Sequence, residues 1–260
     1  MDLPSVFLNT CDARQAGRRL RRPRVHHGLG GGCHASAVPQ HEIGPSQVQT
    51  ALDVLGIVAF AASGALLAVR RGFDVVGLTV LAFVAALGGG LLRDLMLGTT
   101  PVALTDMWYL GAVAVTALVT FLGAPLIHRF RSSLLTFDAV GLGVFCATGT
   151  VKALDFGIEP LGAAVLGVIS GCGGGMIRDL LVRDSPVIFG SSSDHFDSQL
   201  YAVPAFVGSL ALAVLGDQFP DSLNAFMIAT AIFIVLFRLG AIRWDWQAPR
   251  PRPLEPERRG

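Results

Sequence analysis

"ALGGGLLRD" at residues 86–94 and "GCGGGMIRD" at residues 171–179 decide how this chain is read. Each stretch lies inside a long apolar run. Three consecutive glycines weaken a helix by about 1 kcal/mol each relative to alanine. Ionisable side chains at membrane depth are costly unless they face protein or water. The same unfavourable segment, placed twice in the same setting, needs a physical reason.

Composition defines that setting. Of 260 residues, 52% are hydrophobic and 15% are charged, with a mean hydropathy of +0.58. A soluble domain carries about a quarter charged residues, so this is a polytopic membrane protein by composition. The net charge of +1 gives no global attraction to nucleic acid. Only the N-terminal arm is basic, and no nucleic-acid partner is expected. Cys11, Cys33, Cys146 and Cys172 show no CxxC or His/Cys ligand spacing. That argues against a zinc site or a disulfide framework and for small apolar fillers.

Seven apolar segments occupy about 51–69, 75–97, 108–127, 135–151, 160–182, 199–216 and 223–242. Each is near the roughly 20 residues that cross a bilayer as a helix, and all are too long and unalternating for barrel strands. The expected fold is an all-α polytopic membrane protein with seven transmembrane helices and the lipid bilayer as its partner. Residues 1–48, with "RQAGRRLRRPRVHHGLGGG" at 14–32, read as a disordered basic arm or as an extension from a misplaced start codon. Residues 49–134 hold spans 1–3, 135–218 hold spans 4–6, and 219–246 hold span 7. The Pro/Arg-rich tail 247–260 reads as disordered.

Orientation follows from the loops. Arg70 and Arg71, Arg129 and Arg131, Arg183, and Arg243, Arg250 and Arg252 fall on alternate sides of the spans from Asp106, Asp155, Glu159, Asp217 and Asp221. Basic loops stay inside, so the C-terminus is expected in the cytoplasm and the start of span 1 outside, in the plasma membrane (the bacterial inner membrane). The basic arm opposes this, and the sum over the loops outweighs it.

Sliding the chain by 85 residues places Asp53 on Asp138, Gly56 on Gly141, Phe60 on Phe145 and Gly64 on Gly149. It places Gly88–Gly89–Gly90 on Gly173–Gly174–Gly175 and Arg93–Asp94 on Arg178–Asp179. Residues 53–103 and 138–188 share 18 identities in 51 ungapped positions. Apolar runs match by chance at Leu, Val and Ala; they do not align Gly, Asp, Arg and Pro. Each unit holds three spans, so the second enters the membrane from the opposite side. A 3+3 inverted repeat with one extra C-terminal helix is expected.

The repeat gives each motif residue a pair of readings. The triplets Gly88, Gly89, Gly90 and Gly173, Gly174, Gly175 permit close helix packing or an unwound turn that exposes carbonyls to a cavity. Two triplets related by an inverted repeat favour the second, a translocation site. Arg93–Asp94 and Arg178–Asp179 are interfacial pairs that end a helix, or charges at the mouths of a pore; a cross-repeat pair such as Arg93 with Asp179 is a further option. Asp53 and Asp138, at the starts of spans 1 and 4, suit the helix dipole or attract cations as vestibule acids. Ser63 and Thr148, mid-span, bond their own backbone or coordinate an ion. Lys152, the sole lysine, snorkels to the interface or tunes cation entry.

The seven spans, the 3+3 repeat and the doubled GGG-x-x-R-D motif of spans 2 and 5 resemble the prokaryotic trimeric intracellular cation (TRIC) channels, also catalogued as an uncharacterised membrane family with a "glycine transporter" domain. The resemblance covers about residues 50–243. It implies a homotrimer with a pore inside each protomer, conduction of monovalent cations and chiefly potassium, and glycine-kinked helices 2 and 5 lining that pore at Gly88–Gly90 and Gly173–Gly175. Animal members carry Lys-Glu-Val and bind a phosphoinositide. That tripeptide is absent here, so the lipid site is not expected.

A passive channel is the leading expectation, with permeant K+ or Na+ and no resident cofactor. The second is a secondary transporter of a small solute such as glycine, since inverted repeats with broken helices also serve alternating access. An enzyme is not expected. GxxxxGK[ST] is absent, no nucleophile–base set stands out, and His26, His27, His34, His41, His128 and His195 show no metal spacing.

Overall fold

The computed structural model describes residues 46–127, 133–182, 202–244 and 246, all within the unit Ile43–Gly260. Residues 1–45 of the basic arm and the tail 247–260 lie outside the described residues, as do Arg129, Arg131, Arg183, Cys11, Cys33 and all six histidines. The described chain is all helical: α1 (Gln47–Arg70), α2 (Val75–Met96), the four-residue α3 (Val102–Thr105), α4 (Met107–Ile127), α5 (Ser133–Asp155), α6 (Pro160–Leu181), α7 (Ala202–Gln218) and α8 (Leu223–Arg243). The seven apolar segments of the sequence fall on α1, α2, α4, α5, α6, α7 and α8.

Five stretches are long and apolar enough to cross a membrane: Gln47–Arg70, Val75–Met96, Ser133–Asp155, Pro160–Leu181 and Pro220–Arg243. The apolar helices Met107–Gly123 and Ala202–Gln218 are shorter. The first span also begins earlier than the arm boundary at residue 48 suggests. The Ser46 hydroxyl accepts from Gln49 N at 3.1 Å and starts α1 there, satisfying one of the donors that a helix start leaves open.

The duplication is visible in the turns. Gly72 (φ 70°) and Gly157 (φ 73°) are left-handed residues past the ends of α1 and α5. Gly72 N and Phe73 N donate to Val69 O and Ala68 O; Gly157 N and Ile158 N donate to Leu154 O and Ala153 O. These are the same Schellman-type bonds, 85 residues apart, and glycine takes the left-handed position at no steric cost. Asp74, whose Oδ1 accepts from Gly77 N at 2.8 Å, then starts α2. Glu159 with Pro160 at the first helical position starts α6, where a missing N–H costs nothing.

Four helices form the centre. α1 packs on α2 and α5, and α6 packs on α5 and α2. α4 lies on α1 and α2, α7 on α5 and α6, and α8 on α5 and α7. The outer helices carry the exposed apolar surface, such as Val115, Leu118, Val119 and Leu122 on α4.

The glycine triplets do not unwind their helices. α2 and α6 run unbroken through Gly88–Gly90 and Gly173–Gly175. The close-packing reading accounts for the central glycines. A β-carbon on Gly89 would run into the Ser170 carbonyl oxygen, and one on Gly174 into the Ala85 carbonyl oxygen. Gly88 faces Ile177, with 3.1 Å for an added β-carbon, and Gly173 faces Leu92, with 2.8 Å. Each contact repeats at the 85-residue offset, so the crossing is reciprocal. Here the low helix propensity of glycine is offset by the backbone approach that only glycine allows. Gly90 is different: its added β-carbon would meet only Arg93 Nη2, at 3.9 Å.

Gly89, Gly174 and Gly90 should therefore separate on substitution. Gly89→Ala and Gly174→Ala push on backbone and should each destabilise by about 1–3 kcal/mol. Gly90→Ala should be neutral or stabilise by up to about 1 kcal/mol through helix propensity. Thermal unfolding of the detergent-solubilised variants reads the difference, and equal losses at all three positions would contradict the crossing.

Candidate functional site

Ionisable groups buried among apolar helices need partners, and the partners here form two clusters. α1 and α5 run antiparallel, because Arg178 of α6 reaches both Ser63, late in α1, and Asp138, early in α5. One cluster therefore lies where α1 begins and α2 and α5 end. The other lies where α1 ends, α5 begins and α6 ends.

In the first cluster Arg93 Nε donates to Asp94 Oδ1 at 2.8 Å. Lys152 Nζ, from α5, donates to the same oxygen at 2.8 Å. Val102 N donates to Asp94 Oδ2 at 3.0 Å, so this carboxylate also ties down α3. Arg93 Nη1 stands 3.9 Å from Asp53 Oδ1, too far for a hydrogen bond. Among the described residues Asp53 Oδ1, Arg93 Nη1 and Thr148 Oγ1 are buried atoms without a hydrogen-bond partner. Asp53 and Arg93 line a narrow cleft of about 30 Å³, with Gly90, Asp94, Tyr109 and Phe145 among its other walls.

The second cluster is tight. Arg178 Nε donates to Asp179 Oδ1 at 2.8 Å, and Nη1 donates to Asp138 Oδ1 at 2.9 Å and to Ser63 Oγ. The Arg178 and Asp138 side chains are each 1% exposed, whereas Asp53 is 15% exposed. The two units thus hold the same residues at different closure.

Several expectations change. Asp53 and Asp138 do not sit at helix starts. They lie one to two turns inside α1 and α5, where the arginine at the end of the neighbouring helix reaches them. Arg93 and Arg178 each pair with the aspartate next in sequence and with the aspartate of their own unit. Lys152 and Asp94 form an ion pair across the two units. Lys152 turns inward to Asp94 instead of snorkelling. Ser63 accepts from Arg178 instead of bonding its own helix, and Thr148 lies beside Asp53. Of the glycines, Gly90 lines the cleft, while Gly89 and Gly174 are at the α2–α6 crossing.

Sequence reasoning passed over Arg238, wholly buried on α8. Ile234, one turn before it on α8, packs with Cys172 and with Leu142, one turn after Asp138 on α5. An arginine in the middle of an apolar run was the available signal. Tyr109 carries no such mark in the sequence.

The unequal closure is measurable as stability. Asp138→Asn removes a hydrogen-bonded counter-charge of a buried arginine and should cost roughly 3 kcal/mol. Asp53→Asn gives up only a long contact beside a cleft and should cost under about 1 kcal/mol. Chemical unfolding in detergent compares them, and equal costs would remove the distinction between the clusters.

A profile described as "Glycine transporter" matches residues 50–125 and again 135–217, once on each unit. A UPF0126 membrane protein of Deinococcus radiodurans is 41% identical over 75% of this chain and 87% of its own length. The inner membrane protein YadS of Escherichia coli is 36% identical over 76% and 93%. Among solved structures, the TRIC trimeric intracellular cation channel orthologue from Rhodobacter sphaeroides superposes with a TM-score of 0.69 at 34% identity, over 76% of this chain and 99% of that one. A structure described for conductance through TRIC cation channels gives a TM-score of 0.69 at 30% identity, over 80% and 98%. Two units of one family profile, helices long enough to cross a bilayer and this shared fold make the chain a multi-pass membrane protein of the glycine-transporter (UPF0126) family to which the prokaryotic TRIC channels belong.

Proposed function

We propose that this protein is a passive channel for monovalent cations, potassium chief among them. Seven spans form a 3+3 inverted repeat with α8 appended, and each protomer of a homotrimer holds its own pore between the units. The trimer is carried over from the Rhodobacter sphaeroides orthologue. The protein lies in the plasma membrane with the start of α1 outside and the C-terminus in the cytoplasm, as the loop arginines favour.

The observation that carries the reading is the cleft at the open cluster. It offers Asp53, partly exposed and with one oxygen unbonded, in an otherwise apolar setting. Carboxylates at such a place concentrate cations. Thr148 beside Asp53 adds a hydroxyl oxygen, and Gly90 leaves room. Toward the cytoplasm, the Arg178–Asp138–Ser63 bonds close the path in this state. No ring of aligned backbone carbonyls is built, because α2 and α6 stay helical, so discrimination of potassium from sodium is modest. The ion passes through, and no resident cofactor is required.

Single-channel recording of the purified protein in planar bilayers under a KCl gradient tests this. Discrete current steps reversing near the potassium potential are expected, with smaller steps and weaker cation preference in Asp53→Asn. A silent bilayer, with saturable glycine uptake into liposomes from the same preparation, would overturn the channel in favour of a transporter.

A further inference from the structure

Between the two charged clusters lies a layer without charge. Phe60 of α1 and Phe145 of α5 stack there, ring centroids 5.6 Å apart and planes 11° from parallel. They are repeat equivalents and almost fully buried, at 0% and 3% exposure. Each ring covers the glycine that precedes its partner by four residues. A β-carbon on Gly141 would come within 2.7 Å of the Phe60 ring, and one on Gly56 within 3.2 Å of the Phe145 ring.

The helices fix the level of this pair. Asp53, Phe60 and Ser63 follow one another down α1, and Asp138, Phe145 and Thr148 follow one another up the antiparallel α5. At about 1.5 Å rise per residue, the clusters stand roughly 15 Å apart, with the stacked rings near the midpoint. Phe145 is also a wall of the cleft. A route between α2 and α6 is shut, because Gly89 and Gly174 there lie against facing backbone. The two rings therefore stand on the α1–α5 side at the level between Asp53 and Asp138.

We infer that the Phe60–Phe145 stack is the hydrophobic constriction of the pore. It separates two charged clusters by an apolar layer, and apolar constrictions stop ions by excluding water. The inference rests on the channel reading for its functional meaning. It predicts that the volume and polarity of the side chain at 145 set the current, while the acids set its sign.

The test uses the full-length protein with Phe145→Ala, Phe145→Leu, Phe145→Asn, Phe145→Trp and Phe60→Ala. Unitary current should fall in Phe145→Trp and rise in Phe145→Leu, with a severalfold rise in Phe145→Ala and Phe60→Ala. Should the alanine variants fail to fold, the Trp–Phe–Leu series carries the ordering. A flat series among variants that elute and melt like the parent protein would overturn the constriction. Hydroxyl-radical labelling read by mass spectrometry supplies a measure that needs no current. Phe60 should be protected in the parent protein and labelled severalfold more in Phe145→Asn; strong labelling in the parent would also overturn it. A parent protein that passes no current but shows this labelling pattern sinks the channel reading and keeps the dry layer.

Discussion

The reciprocal contact of Gly89 with Ser170 and of Gly174 with Ala85 is the constraint on which the remaining architecture depends. Two helices at ordinary spacing would leave a seam between α2 and α6. Glycine removes that seam by letting backbones touch, so the two units become one body. The contact also shapes the empty space. With the α2–α6 seam shut, room remains beside it, where α2 faces α1 and α5. The cleft with Asp53, Gly90 and Phe145 lies there.

The same crossing governs the charges. It brings the ends of α2 and α6 inward, so Arg93 and Arg178 are 3% and 1% exposed. A buried guanidinium without a counter-ion is costly, and each unit meets that need twice over, with the aspartate next in sequence and with Asp53 or Asp138 from the preceding helix. These groups do not make the protein stable in a simple sense, since apolar side chains would pack as well. They place ionisable groups within an apolar interior, where such groups are rare in membrane proteins unless they serve passage or binding.

Much of this was legible in the sequence. The apolar runs located the seven longer helices, because helix length in a bilayer follows from thickness. The 85-residue offset held at the level of single hydrogen bonds, as the Gly72 and Gly157 turns demonstrate. The role of the glycines was harder to read. A triplet in a helix signals either unwinding or close approach, and only the facing backbone decides between them. Lys152 was opaque for a related reason: its partner Asp94 lies on a helix remote in sequence, and no local pattern names it. The Phe60–Phe145 pair was visible as a repeat match, but an aromatic in an apolar run carries no mark of its position on the axis between units.

One divergence within the duplication bears directly on the unequal clusters. Position 152 of the second unit is lysine, and its equivalent in the first is Leu67. The ammonium of Lys152 joins Arg93 on a single oxygen of Asp94, adding a positive charge where the first unit ends. With two cations already satisfied by Asp94, Arg93 does not close on Asp53, and the 3.9 Å gap with its unbonded atoms remains. Leu67 supplies no such charge at the other end, where Arg178 closes on Asp138 at 2.9 Å and takes Ser63 as well. A symmetric pair of units has no reason to be open at one face and shut at the other. A lysine in place of a leucine is one such difference, because it puts a second cation on Asp94.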